Sequence, residues 1–195
     1  KRAAALEAVS TAPVIEAYGM TEAAHHIATN RLPPGVRKFG SVGLAAGPEV
    51  AVMDEAGNRL PSGERGEIVI RGPSVMCGYE GDERINATAF MKGWFRTGDE
   101  GFIDNDGYIF ISGRLKENIN RGGQKIAPRE VDEALMNHPA VAQAVTFAMP
   151  HTTLGEDVAA AIVLREEMAA TEAEIREFAR QRLAGYKVPR RILVV

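Results

Sequence analysis

Gly113-Arg114-Leu115-Lys116-Glu117-Asn118-Ile119-Asn120-Arg121-Gly122-Gly123-Gln124-Lys125-Ile126 alternates basic residues with a glycine pair and shows no core-forming period. It reads as an exposed, functional loop. Five cations, Arg114, Lys116, Arg121, Lys125 and Arg129, fall within 114–129. The glycine pair lets the backbone approach a ligand closely or adopt a positive φ. An anionic, phosphorylated partner is implied. Upstream lie Thr97-Gly98-Asp99 and, further away, Tyr18-Gly19-Met20-Thr21-Glu22, each read as a glycine-containing turn that presents polar side chains. Together the three segments imply a nucleotide site.

Working outward, the loop separates two differently patterned regions. The 195 residues exceed the roughly 100–150 most common for one domain, and two domains are expected. Before the loop, a short amino-terminal helix precedes a strand at 14–18 and a polar stretch to about Gly40. Runs at 49–54 and 66–71 flank the turn Glu55-Ala56-Gly57-Asn58 and should pair as a hairpin. A helix is expected over 83–90. Residues 93–112 should alternate strands with turns at Thr97-Gly98-Asp99 and Asn105-Asp106-Gly107. After the loop, Pro128 suits a first helical position, and Val131, Ala134 and Leu135 form a stripe at i, i+3, i+4, predicting a helix over about 128–137. Strands at 141–148 and 157–164 follow. Thr171 and Glu174 have capping-box spacing before a helix that buries Ile175, Phe178, Ala179 and Leu183 and ends near Gly185. The fold class is α/β, mixed α+β: a β-rich part over 1–113, then a small α/β domain over 114–195.

Composition excludes several classes. Hydrophobic residues at 45% and charged ones at 25% fit neither disorder nor a membrane span, which needs about 18 consecutive apolar residues. Membrane insertion is not expected. The net charge of −3 argues against nucleic acid as a partner. The single cysteine, Cys77, forbids an intrachain disulfide framework and fits a reducing, cytoplasmic compartment. It lacks a neighbouring base and is read as a small packed thiol. No Cys/His metal spacing, Gly-x-Ser-x-Gly elbow or Walker-type loop occurs. Oligomerisation stays open.

The candidate chemistry rests on few side chains, each with two readings. Asp99 is an Asx-type turn residue or a carboxylate that accepts two hydrogen bonds from a vicinal diol such as ribose. Glu22 is a solvated helix-start residue or a Mg²⁺ ligand acting with phosphate oxygens. Tyr18 is a core-edge residue or a stacking platform for a base. His25 and His26 point apart and lack a third ligand, which leaves one of them for a substrate pocket.

These segments, in this order, closely resemble the adenylate-forming superfamily of acyl-CoA synthetases, luciferases and nonribosomal-peptide adenylation domains. The resemblance runs through Tyr18-Gly19-Met20-Thr21-Glu22, Gly66-Glu67-Ile68, Arg71-Gly72-Pro73, Gly93-Trp94-Phe95, Thr97-Gly98-Asp99, Asp106-Gly107-Tyr108 and Gly113-Arg114-Leu115-Lys116-Glu117, as far as Pro128 to Asp132. It covers nearly the whole chain. It implies that ATP and a small carboxylic acid form an acyl-adenylate, with CoA as the second substrate. In that scheme Tyr18 packs on adenine, Gly19 belongs to the same ATP/AMP-binding set, Thr21 contacts phosphate, and Glu22 holds Mg²⁺. Asp99 takes the ribose hydroxyls with Arg114 beside it, Lys116 is the hinge of a rotating lid, and Gly122 and Gly123 line the pantetheine tunnel.

The family's phosphate loop and adenylation lysine have no counterpart in 1–195. The chain is therefore expected to be roughly the carboxyl-terminal two-fifths of a larger ligase, inactive by itself. Thr21-Glu22-Ala23-Ala24-His25, Asn30 to Pro34 and Lys38 to Gly43 look most like oxalate–CoA ligase-type enzymes, in which His25 would meet the distal carboxylate. A carrier-protein-loading adenylation domain and a noncatalytic nucleotide-binding or interaction module are the alternatives.

Overall fold

The computed structural model describes residues 2–10, 12–81 and 83–195. The chain divides into two compact units, Lys1–Ile111 and Ser112–Val195. Helix α1 (Arg2–Ser10) opens the first unit. A small antiparallel sheet follows, built from β1 (Ala17–Tyr18), β2 (Ala28–Thr29) and β3 (Leu44–Ala45) in that order. The strand expected over 14–18 is reduced to its last two residues. Val14 spends its N–H on the Glu7 carboxylate at 2.8 Å and its carbonyl on Arg37 at 3.0 Å, so it joins no ladder.

The larger sheet of this unit comprises β4 (Glu49–Met53), β5 (Gly66–Arg71), β6 (Phe90–Met91), β7 (Trp94–Ile103) and β8 (Ile109–Arg114), while α2 (Glu83–Ala89) precedes β6. Strands β4 and β5 pair antiparallel from Glu49↔Arg71 to Met53↔Glu67, as their alternation predicts. β5 is central and covered on both faces. Ile68 and Ile70 join Ile27, Ala28, Phe95 and Ile109, whereas Val69 packs with Ala51, Met53 and Trp94 on the other side. Burying each such side chain stabilises by about 1.5–3 kcal/mol. The first cluster also gathers Tyr18 and Met20, which anchors the Tyr18–Glu22 segment to the sheet.

In the second unit β9 (Ile119–Arg121) and β10 (Gln124–Ile126) form a hairpin, followed by α3 (Pro128–Met136), β11 (Val141–His151), β12 (Gly155–Leu164), α4 (Glu172–Arg180) and β13 (Arg191–Val194). The sheet order is β10-β9-β12-β11, with β13 running parallel to β12. Helix α3 has Pro128 in its first turn and buries Val131, Ala134 and Leu135. The Thr171–Glu174 capping box forms, satisfying amides that the helix start would leave unpaired. α4 stops at Arg180, earlier than expected. Leu183 lies past its end yet packs on the core, and Gly185 begins a separate helical turn.

The 113–126 segment is not one irregular loop. Of its three apolar residues, Ile119 and Ile126 are fully buried in the core, whereas Leu115 is half-buried. The seven-residue spacing of the two isoleucines hides a β period, because a turn lies between them and the strands are three residues each.

Candidate functional site

The Thr97-Gly98-Asp99 segment lies within β7 and is no turn. Val69 pairs with Arg96 and Glu67 with Glu100, so Ile68 faces three residues of β7. That is a bulge, a local excess of chain that redirects side chains. Gly98 takes φ +73°, in the left-handed region. Side chains hold the bulge: Thr97 Oγ1 donates to Ile68 O at 2.7 Å, Asp99 N donates to Thr97 Oγ1 at 3.1 Å, and Gly98 N donates to Glu67 Oε1 at 3.1 Å. Glu67, only 6% exposed, also accepts from Arg96 Nε at 2.8 Å. Asp99 is thus a buried carboxylate in mid-strand, not at a strand terminus. Its Oδ2 accepts from the Tyr18 hydroxyl at 2.5 Å, which joins two segments 81 residues apart.

From Tyr18 the chain enters a closed loop. His25 N donates to Met20 O at 2.9 Å, and Ile27 N to Tyr18 O at 2.9 Å. Thr21–Ala23 is a single 3-10 turn, and Ala24 and His25 both follow it at positive φ, 50° and 60°. Two adjacent non-glycine residues in that region cost of order 1–3 kcal/mol each and mark a loop over-determined by its surroundings. Gly19 makes the closure possible, since a Cβ there would lie 2.0 Å from His25 O. Thr21, His25 and His26 are exposed, and Glu22 is half-buried. Glu22 Oε1 accepts from the Tyr79 hydroxyl at 2.8 Å. Burial and this bond to the carboxylate both push the Tyr79 hydroxyl pKa upward, keeping it protonated and donating.

In the second unit Gly122 and Gly123 are the two central residues of the β9–β10 hairpin, with φ +57° and +88°. Two consecutive positive φ values are what tight two-residue hairpin turns require. The turn is secured on both sides. Gly122 N donates to Leu154 O at 2.9 Å, and Gly123 N donates to Asn120 Oδ1 at 3.0 Å. Arg121 Nε donates to Asp157 Oδ1 at 2.7 Å, so this cation neutralises a protein carboxylate. Arg129 pairs with Glu133 on the exposed face of α3. Lys116 sits in a separate helical turn, Leu115–Glu117, and is exposed; Arg114 ends β8.

Among the described residues no group of three or more His, Cys, Asp or Glu could hold a metal ion. Cys77, expected as a packed thiol, is exposed in the segment between β5 and α2. Sequence reasoning missed Glu67, Tyr79 and Asp157. A signal existed for Glu67, a carboxylate abutting the apolar run Ile68-Val69-Ile70. Tyr79 and Asp157 act on partners 57 and 36 residues away and give no local sign.

The fold is that of solved adenylate-forming enzymes. ATP-bound MatB from Rhodopseudomonas palustris matches with a TM-score of 0.88 and 34% identity, over 95% of this chain and 37% of that one. Bacillus subtilis o-succinylbenzoate CoA synthetase, with its acyl-adenylate intermediate, matches with a TM-score of 0.82 and 32% identity, over 98% of this chain and 39% of that one. The AMP-binding enzyme model matches residues 1–80 and the AMP-binding enzyme C-terminal domain model residues 130–195, and the chain belongs to this adenylate-forming family. Oxalate–CoA ligase of Arabidopsis thaliana is 46% identical over 97% of this chain and 37% of its own length. Sulfoacetate–CoA ligase of Cupriavidus necator is 44% identical, over 91% of this chain and 35% of its own length. The chain thus spans little more than a third of the relatives it matches.

Proposed function

We propose that this chain is the carboxyl-terminal portion of an AMP-forming acid–CoA ligase, with residues 1–113 closing the large nucleotide-binding domain and 114–195 belonging to the lid. The observation that carries this reading is the Tyr18–Asp99 hydrogen bond, which joins two segments assigned by resemblance to one nucleotide. Asp99, buried and fixed by the bulge, accepts the ribose hydroxyls, and the Tyr18 ring packs on adenine while its hydroxyl steadies Asp99. Thr21 donates to phosphate.

Glu22 fits a Mg²⁺ ligand in its donor chemistry. Tyr79 engages Oε1, Oε2 remains as a ligand atom, and Mg²⁺ commonly takes one or two carboxylates together with phosphate oxygens and water. When bound, the ion neutralises phosphate charge as the acid's carboxylate displaces pyrophosphate. Lys116 is the hinge residue, and the Gly122-Gly123 turn borders the CoA arm during thioester formation. The chain spans little more than a third of the relatives it matches, so the activity belongs to the longer parent.

The acid is a short dianion, oxalate first. Two relatives named above are ligases of small acids with a second anionic group, and exposed His25 follows the motif as a donor for that group. The test is a coupled pyrophosphate-release and CoA-thioester assay on the full-length parent, with oxalate, malonate, acetate, octanoate and benzoate offered separately. Turnover with oxalate supports the whole reading. Turnover only with a monoacid removes the His25 assignment, and no acid-dependent pyrophosphate with any of the five contradicts the ligase reading.

A further inference from the structure

Leu154 of the β11–β12 turn and the first residues of β12 reach the glycine hairpin through four separate contacts. Gly155 pairs with Arg121 in the ladder, Leu154 O accepts from Gly122 N, Glu156 Oε2 accepts from Asn120 N at 2.6 Å, and Asp157 Oδ1 accepts from Arg121 Nε. Three of these are backbone ladder contacts or reach a surface carboxylate. Asp157 differs because its side chain is 1% exposed and its Oδ2 has no hydrogen-bond partner. Arg190 Nη1 stands 3.6 Å from that oxygen and His151 Nε2 4.0 Å, while Arg190 Nη1 and His151 Nε2 lie 2.7 Å apart. A buried carboxylate with one unused oxygen is costly unless a cation compensates it. Here two cations compensate it, Arg190 at 3.6 Å from Oδ2 and, nearer, Arg121 of the hairpin at 2.7 Å from Oδ1.

We propose that Asp157 is a positioning residue for the CoA-dependent step, fixing the Gly122-Gly123 turn through Arg121 so that its backbone is presented in one conformation. This rests on the ligase reading above. Arg121 immediately precedes the turn and pairs with both Gln124 and Gly155, so its side-chain anchor sets the register of β9 against β10 and β12 at once. Burial raises the Asp157 pKa, but the Arg121 hydrogen bond and charge, the Val158 amide and the nearby Arg190 outweigh it and hold the carboxyl below its usual range. The clasp is therefore ionised at neutral pH.

The experiment uses the full-length parent, with Asp157→Ala, Asp157→Asn and a control, Asp132→Asn, which alters another partly buried carboxylate of the same unit on α3. Acid-dependent ATP–pyrophosphate exchange reads adenylation, CoA-thioester formation reads the second step, and amide hydrogen exchange over 119–126 reads the turn directly. In Asp157→Ala the KM for CoA rises about ten-fold while pyrophosphate exchange stays within about two-fold of wild type, and amides 119–126 exchange faster. Asp157→Asn keeps an oxygen for Arg121 and recovers part of both effects, and the control shows neither. Equal loss in both half-reactions, or unchanged exchange over 119–126, overturns the proposal. The wild-type parent separates the two claims, since failure to form any thioester contradicts the ligase reading, and the exchange data then judge the clasp alone.

Discussion

The bulge at Thr97-Gly98-Asp99 and the turn at Gly122-Gly123 look alike as sequence, yet one fixes a buried side chain and the other exposes bare backbone. In β7 the glycine is a spacer that lets the strand overshoot its partner, and the product is one aimed side chain, Asp99. In the β9–β10 hairpin the glycines themselves form the tip, and the product is backbone without side chains. Their supports differ in the same sense. The bulge is fastened by a buried Glu67 and the Thr97 hydroxyl, whereas the turn is fastened by Asn120, Leu154 and, at one remove, the Arg121–Asp157 pair. On the proposed reading, a carboxylate that meets two hydroxyls needs fixed direction, and a channel wall for a slender thiol arm needs absence of bulk.

The largest effect that would break this contrast is expected at Glu67. Replacing it by alanine strips the Gly98 amide and Arg96 of their acceptor, and stability should fall by about 2–3 kcal/mol. Urea unfolding followed by the fluorescence of Trp94, the sole tryptophan, measures it in the first unit. A loss under about 0.5 kcal/mol would mean the bulge supports itself. At the other region Gly122→Val should cost about 2 kcal/mol, through the positive φ and the approach to Leu154. Gly122→Asn should cost less, because asparagine visits the left-handed region more readily. Equal losses for Val and Asn would show that conformation is not what selects glycine there.

A smaller effect sharpens the comparison through pH. The Asp157 pKa is lowered in the folded state, so its contribution to stability is fully present above the unfolded value, about 3.9, and is lost as pH falls through the lower folded value. Acid titration of unfolding should show a downward slope below about pH 4 that is shallower in Asp157→Asn. An unchanged slope would mean that Asp157 gains nothing from Arg121.

Legibility in the sequence follows the range of the interaction. Helix α3 and the capped α4 are local matters of Pro128, Thr171, Glu174 and an i, i+3, i+4 stripe, and they stand where expected. The β4–β5 pair is legible through alternation. Of the short strands, β1 is legible only as the end of the run expected over 14–18, and β2, β3 and the β9–β10 hairpin are not, since two- or three-residue strands carry no period. The candidate site residues Tyr18, Glu22 and Asp99 stand out in the sequence with two readings each, and the resemblance favours the functional one. Their pairing with one another or with Tyr79 depends on tertiary contacts that spacing does not encode.

The central claim is that the two regions serve different half-reactions, and the direct test measures both half-reactions of the full-length parent in Asp99→Ala and Lys116→Pro. The account predicts that Asp99→Ala weakens ATP use in adenylation by about 1–3 kcal/mol, as expected for ribose hydroxyls left without an acceptor, and that Lys116→Pro spares adenylation while slowing thioester formation. Unchanged ATP use in Asp99→Ala, or equal losses in both half-reactions for Lys116→Pro, would contradict it.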